Sequence, residues 1–223
     1  MAETVLPLDD PIELRTLILE CLRGTTPCAD LESAARTSPI NALVRQHLSV
    51  TPVAAAVLVP IIDRDTELTV LLTHRASHLR HHAGQISFPG GRIEPRDAGA
   101  FDAALREAQE EIGLPREHVT LAGYLNPQLV VSGYWVTPVV GFVRPDFPLR
   151  LDETEVESTF EVPLAHALDP TNYRVRERHL GTTTVHVYDI RFGPHLIWGA
   201  TAAMLVELYR VLSGGRSAVR GRL

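Results

Sequence analysis

The sequence predicts an α/β fold, a mixed sheet with helices on both sides. Three observations carry that expectation. Val53–Ile62 is rich in valine, alanine and isoleucine, as in a strand buried on both faces. Further strand-like runs alternate with helical stretches along the chain. Two of those stretches, Ala98–Ile112 and Gly199–Leu212, are long enough to cover a sheet.

Taken in order, Asp9-Asp10-Pro11 is a helix start, acidic caps followed by a proline in the first turn. The segment Ile12–Leu22 reads as the helix, ending at Gly24. A second helical stretch, Asn41–Leu48, leads into the strand Val53–Ile62. Pro60 cannot donate to a ladder, so regular pairing is expected to end near Val59. Asp63-Arg64-Asp65 makes a turn, and Glu67–Thr73 forms the second strand. Gln85–Phe88 is a short strand ending at Pro89-Gly90-Gly91. Asp97 is placed to cap the helix Ala98–Ile112, and Gly113 and Pro115 end it. Strands follow at Val119–Leu125, Tyr134–Val143, Ser158–Val162 and Thr183–Ile190. The last helix, Gly199–Leu212, stops at Gly214-Gly215.

Composition excludes several functions. The net charge of -6 argues against a broad basic surface for nucleic acid or anionic lipid. All 21 basic residues are arginine. Genomic base composition is the ordinary cause, yet Schiff-base enzymes, P-loop NTPases and protein kinases each need a lysine in a defined role. Two cysteines, Cys21 and Cys28, are neither a disulfide framework nor a zinc pattern. The acidic N-terminus lacks the order of a signal peptide, and Val53–Ile62 is too short to span a bilayer. A reducing, cytoplasmic setting with no membrane partner is expected.

The helix Ala98–Ile112 carries three crowded glutamates, Glu107, Glu110 and Glu111. Phe101, Leu105, Ala108 and Ile112 form its expected core stripe, with the glutamates on a second face beside it. Their i, i+3 and i+4 spacings cost an isolated helix about 0.2–0.5 kcal/mol per pair, and the dipole near a helix C-terminus opposes anions. A solvated acidic face is the plain reading. A divalent cation is the sharper one, since carboxylates are the ligands that Mg2+ and Mn2+ prefer.

The surrounding order, GGRIEPRDAGAFDAALREAQEEIGL, resembles the signature of the Nudix hydrolases at Arg106, Glu107, Glu110, Glu111, Gly113 and Leu114. Between Gly91 and Arg106 this chain has one residue more than the common family spacing, and the loop acid is Asp97 rather than glutamate. The resemblance implies a Nudix-type α/β/α sandwich with a mixed sheet over residues 50–213; outside it, the chain reads as an N-terminal helical extension over 1–49 and a flexible tail over 214–223. It also implies metal-dependent hydrolysis of a nucleoside-linked diphosphate with Mg2+ or Mn2+. Glu107 and Glu111 match the principal ligands, Glu110 is a further ligand or base, and Arg106 orients them.

The stretch before it, LLTHRASHLRHHAGQISFPGGR, resembles the motif of the coenzyme A diphosphatase branch at Leu71, Leu72, Thr73, Arg75, Leu79, Arg80, His82, Gly84, Gln85, Phe88, Pro89, Gly90 and Gly91. Arg75, Arg80 and Arg92 with His74, His78, His81 and His82 make a basic island in an acidic chain. Bidentate arginine contacts suit phosphate. The histidines also read as plain loop residues; zinc ligation is disfavoured with no cysteine nearby. Two later segments fit the same branch. TEVESTFEVPL offers Glu155 as an extra ligand, a base or a solvated acid. IWGATAAML opens the last helix, where Trp198 reads as a packing residue rather than an adenine platform. The implied substrate is coenzyme A or a derivative, cleaved to 4'-phosphopantetheine and adenosine 3',5'-bisphosphate. Alternatives are the same chemistry on a nucleoside triphosphate, ADP-ribose or a dinucleotide, or a non-catalytic ligand-binding module. A homodimer is suggested by the resemblance alone.

Overall fold

The structure is a computed structural model describing residues 6–79, 82–181 and 183–214. Arg80 and His81, and the expected tail beyond Gly214, lie outside the described residues. The N-terminal part holds α1 (Pro11–Leu22), α2 (Leu31–Ala35) and α3 (Pro39–His47). Then come β1 (Val53–Asp63), β2 (Leu68–Arg75), β3 (Ile86–Ser87), β4 (Gly90–Arg92) and α4 (Ala100–Ile112). After α4 follow β5 (Val119–Tyr124), β6 (Gln128–Val130), β7 (Tyr134–Val143), β8 (Val156–Pro163) and α5 (Leu164–Ala167). The chain closes with β9 (Tyr173–Leu180), β10 (Thr183–Phe192), β11 (His195–Trp198) and α6 (Gly199–Leu212).

The main sheet is mixed. β1 runs parallel to β7, and its other edge pairs antiparallel with β4 and then β2. β8 and β3 extend the sheet from β2, and β5 and β6 pair with β7. β1 is buried on both faces because successive side chains alternate. Ala55, Val59 and Ile61 enter a core with α1 and α6, while Ala56, Leu58 and Ile62 enter a second core under α4. Helices therefore cover both sides, as the sequence predicts.

Pro60 does not end the pairing. β1 continues to Asp63, with Pro60 opposite Gly141 in the parallel ladder. Leu58 donates to Pro89 O at 2.9 Å, so by alternation the nitrogen of Pro60 faces that same edge. There β4 has ended and β2 has not begun, so no ladder bond is lost.

The N-terminal extension is built into the domain. Asp10 caps α1 by accepting from the backbone N–H of Ile12 and of Glu13, each at 2.9 Å. Leu14, Ile18 and Leu22 join the α6-side core. Asn41 of α3 is fully buried. It donates to Ala34 O at 3.1 Å and Pro127 O at 2.7 Å, and accepts from Leu129 N–H at 2.9 Å. Those bonds join α2 and α3 to the edge of β6, because a buried amide must find partners.

The expected strand 183–190 belongs to a second, three-stranded sheet in the order β11-β10-β9. β9 was not foreseen. Its sequence YRVRERHL alternates, but the arginines on one side give it the polarity of a loop.

Candidate active site

The glutamate helix lies against β1 and β4. Its buried face is made mainly of alanine: Ala100, Ala103, Ala104 and Ala108, with Leu105 and Ile112 at one side. At about 100° per residue, Glu107 and Glu111 fall in the middle of that alanine face. This corrects the expected stripe, in which the glutamates stood beside the core; Phe101 is only half-buried. Small side chains let the helix approach the sheet, and the strand beneath answers with Gly90 and Gly91.

Each glycine meets one of the two buried carboxylates, Gly90 through its N–H and Gly91 through its missing side chain. Gly90 N–H donates to Glu111 Oε2 at 3.1 Å. A Cβ at Gly91 would stand 2.5 Å from Glu107 Cδ, so any side chain there displaces that carboxylate. Glu111 is only 3% exposed. The Arg75 guanidinium, arriving from the end of β2, lies 3.6 Å from Glu111 Oε1, while its own Nε is buried without a hydrogen-bond partner.

Arg106 fixes the other side. Its Nε and Nη2 donate to the two oxygens of Asp97 at 2.9 and 3.0 Å. Its Nη1 donates to Glu107 Oε1 at 2.8 Å and to Glu110 Oε2 at 3.1 Å. Asp97 is thus taken up by Arg106 and does not cap α4, whose first residue is preceded by Gly99 with no side-chain cap. Its carboxyl is held below the usual range, first by Arg106. These bonds set Arg106 between Asp97 and the two glutamates, and Glu110 turns outward, its side chain 53% exposed.

The helix C-terminus brings in a further acid. Gly113 takes the expected left-handed conformation, φ 70°. Asp152 N–H and Arg150 N–H donate to the carbonyls of Glu111 and Ile112, each at 3.0 Å. That segment leads directly to Glu155, whose carbonyl accepts from Ala76 N–H at 2.9 Å. Glu155 is exposed, yet its charge acts on both Glu107 and Glu111. Gly84 and Gln85 sit in the turn after β2, where Gly84 N–H donates to Arg75 O at 3.1 Å and Arg75 N–H to Gln85 O at 3.0 Å. They bond to the arginine's backbone and not to the glutamates. Arg92 is held at Tyr134, its Nη2 donating to the phenol oxygen at 3.0 Å.

The electrostatics ask for a cation. Burial is the main cause that pushes the Glu111 carboxyl up to about 8, with Arg75 and Gly90 opposing and Glu107 and Glu155 adding. Burial also raises Glu107, against its bond from Arg106. Carboxylates enclosed this way, Glu111 facing Arg75 and Glu107 facing Arg106, fit a divalent ion as ligands.

A pH dependence follows for the metal-free protein. A carboxyl raised in the folded state contributes stability in full below its unfolded value, about 4.3, because the buried group is then neutral. That contribution is lost as the pH rises through about 8. The melting temperature in EDTA should therefore fall between pH 5 and pH 8, and Glu111→Gln should flatten that fall. A melting temperature that rises through this window in EDTA would contradict the burial of Glu111.

Comparison with known proteins shows the family of this chain. The family model for the NUDIX domain matches residues 52–180. The uncharacterized Nudix hydrolase NudL of Escherichia coli K12 is 45% identical over 154 residues, covering 69% of this chain and 80% of that protein. NudL of Shigella boydii serotype 18 is 44% identical over the same span. A Caenorhabditis elegans Ap4A hydrolase crystal structure aligns with 51% of this chain and 83% of its own, at 19% identity and a TM-score of 0.44. With a carboxylate pair, a glycine floor and an arginine clamp on the matched segment, the chain belongs to the Nudix hydrolase family.

Proposed function

We propose that this Nudix hydrolase cleaves the diphosphate bond of coenzyme A or its derivatives, giving 4'-phosphopantetheine and adenosine 3',5'-bisphosphate. The observation that carries the reading is the position of Arg75. It belongs to the coenzyme A-type stretch, and its guanidinium stands on the buried carboxylate Glu111. Substrate stretch and carboxylate centre are therefore one site. A cleft of about 430 Å3 lies between residues 76–78 and 151–157, next in the chain to Arg75 and Glu155.

Glu107 and Glu111 are the residues that would hold a magnesium or manganese ion, with Glu110 at the rim and Glu155 as an extra ligand or base. Such an ion neutralises diphosphate charge and lowers the pKa of a bound water. The chain's own groups do the rest. Arg106, anchored on Asp97, keeps Glu107 pointed at the site. Gly90 N–H keeps Glu111 in place. Glu155, exposed to solvent within the field of both acids, is positioned to accept the proton of the attacking water. Arg75 and Arg80 supply cationic contacts to substrate phosphates, and the turn at Gly84 and Gln85 is bonded to the backbone of Arg75.

Coenzyme A and dephospho-coenzyme A differ only by the 3'-phosphate, so the pair isolates the arginine contact. Wild type should favour coenzyme A, and Arg75→Ala or Arg80→Ala should erase the preference. A charge-assisted hydrogen bond implies discrimination of roughly 10- to 100-fold, mainly in KM. An unchanged preference in both single variants and the double variant would reject the assignment. A homodimer, if formed, is read from light scattering.

A further inference from the structure

The three-stranded sheet has a solvent-facing side that hydrolysis leaves unused. The register sets Arg174 opposite Asp189 and Asp189 opposite Trp198, Arg176 opposite Val187, Arg178 opposite Val185, and Arg191 opposite Leu196. Residues directly opposite share a face, so four arginines and one aspartate lie on one side. The other side faces the protein body. Ile190 and Ile197 are fully buried there, and His195 reaches His74 of β2 at 3.0 Å. The arginine side therefore looks away from the main sheet.

That side holds a cleft of about 380 Å3, lined by Arg174, Val175, Arg176, Asp189, Arg191 and Leu196. Asp189 is buried and accepts from Arg176 Nη2 at 2.8 Å. Arg178 lies over the Trp198 ring, 5.7 Å from its centroid. Arg174 and Arg191 have no carboxylate partner among the described residues. Three guanidinium groups against one carboxylate leave two positive charges unbalanced in the lining, on a chain of net charge -6.

We propose that this cleft is a second phosphate-binding site, separate from the carboxylate centre, and that it takes the phosphate of a small phosphate monoester. A monoester carries close to two negative charges at neutral pH and three acceptor oxygens, which match two free guanidinium groups. Leu196, on the same face as Arg191, provides an apolar wall for the organic part. Inorganic phosphate offers the same dianion without that part.

The test is calorimetric titration of the full chain in EDTA, so that no divalent cation bridges a phosphate to the glutamates. The probes are inorganic phosphate and adenosine 5'-monophosphate. Both should bind at one site, the monophosphate more tightly. The double variant Arg174→Gln with Arg191→Gln should weaken both by about 10- to 100-fold, keep its melting temperature and keep basal hydrolysis. Arg75→Gln should leave both affinities unchanged. No saturable binding of either probe at millimolar concentration would overturn the proposal. So would a loss in Arg75→Gln equal to that in the double variant, which would put the phosphate at the catalytic site. Binding of inorganic phosphate without the monophosphate would overturn the monoester assignment, and binding of a DNA or RNA oligomer alone would overturn the small-molecule one.

Discussion

Turnover should fall to background in excess EDTA and return when magnesium or manganese is added in excess of the chelator. Of the effects expected here this is the largest, because it removes the partner that the whole arrangement of acids calls for. Glu107 and Glu111 lie in the middle of a buried helix face, and burial pushes both carboxyls up. Two ionised groups held this way repel each other and lose hydration, and a cation converts both costs into coordination. A diphosphate substrate adds more negative charge to the same place. Binding to the folded state alone must also stabilise it, so the melting temperature should rise with added metal, more at pH 8 than at pH 6 because the proton competes less there. Full turnover in excess chelator would rule out this account of the acids.

Glu111→Gln should lower kcat by about 10²–10⁴, the scale of a lost metal ligand or general base. The substitution keeps the side-chain volume and an oxygen for Gly90 N–H, 3.1 Å away in the wild type. Packing is therefore preserved while the charge is removed. In EDTA at pH 8 the variant should melt at or above the wild-type temperature, because a carboxyl raised to about 8 is being forced to ionise in the wild type. The combination of lost turnover and retained stability separates a functional acid from a structural one. Near-normal turnover in this variant would mean that Glu111 is not a ligand.

Much of this site is legible in the sequence because its parts are local. Arg106, Glu107, Glu110 and Glu111 stand within two turns of one helix, and Gly113 marks its end. The left-handed cap at Gly113 and the start of α1 at Asp10 follow from backbone chemistry that a few residues decide. What the sequence hides depends on distant partners. The expected stripe of α4, Phe101, Leu105, Ala108 and Ile112, leaves out Ala100, Ala103 and Ala104, whose small side chains admit the helix to Gly90 and Gly91. Asp97 reads as a cap from its position, but Arg106 is the stronger partner for a buried carboxylate. Pro60 is tolerated in a central strand because of where β4 ends and β2 begins, which only the assembled sheet defines. β9 carries three arginines on one side and a mix of apolar and polar residues on the other, and its strand character comes from pairing with β10. The link of residues 150–152 to the last carbonyls of α4, which delivers Glu155, leaves no local trace at all.

The measurement that tests the central claim most directly is a product-resolved substrate panel with the full chain in magnesium and in manganese. Coenzyme A, an acyl-coenzyme A, ADP-ribose, a diadenosine polyphosphate and a nucleoside triphosphate would be compared by kcat/KM, with products separated by chromatography. The account predicts the highest kcat/KM for a coenzyme A species, with 4'-phosphopantetheine, acylated where the substrate was, and adenosine 3',5'-bisphosphate as the only products. Intact coenzyme A alongside rapid cleavage of ADP-ribose, a dinucleotide or a triphosphate would contradict it, while leaving the carboxylate centre as the site of that other hydrolysis.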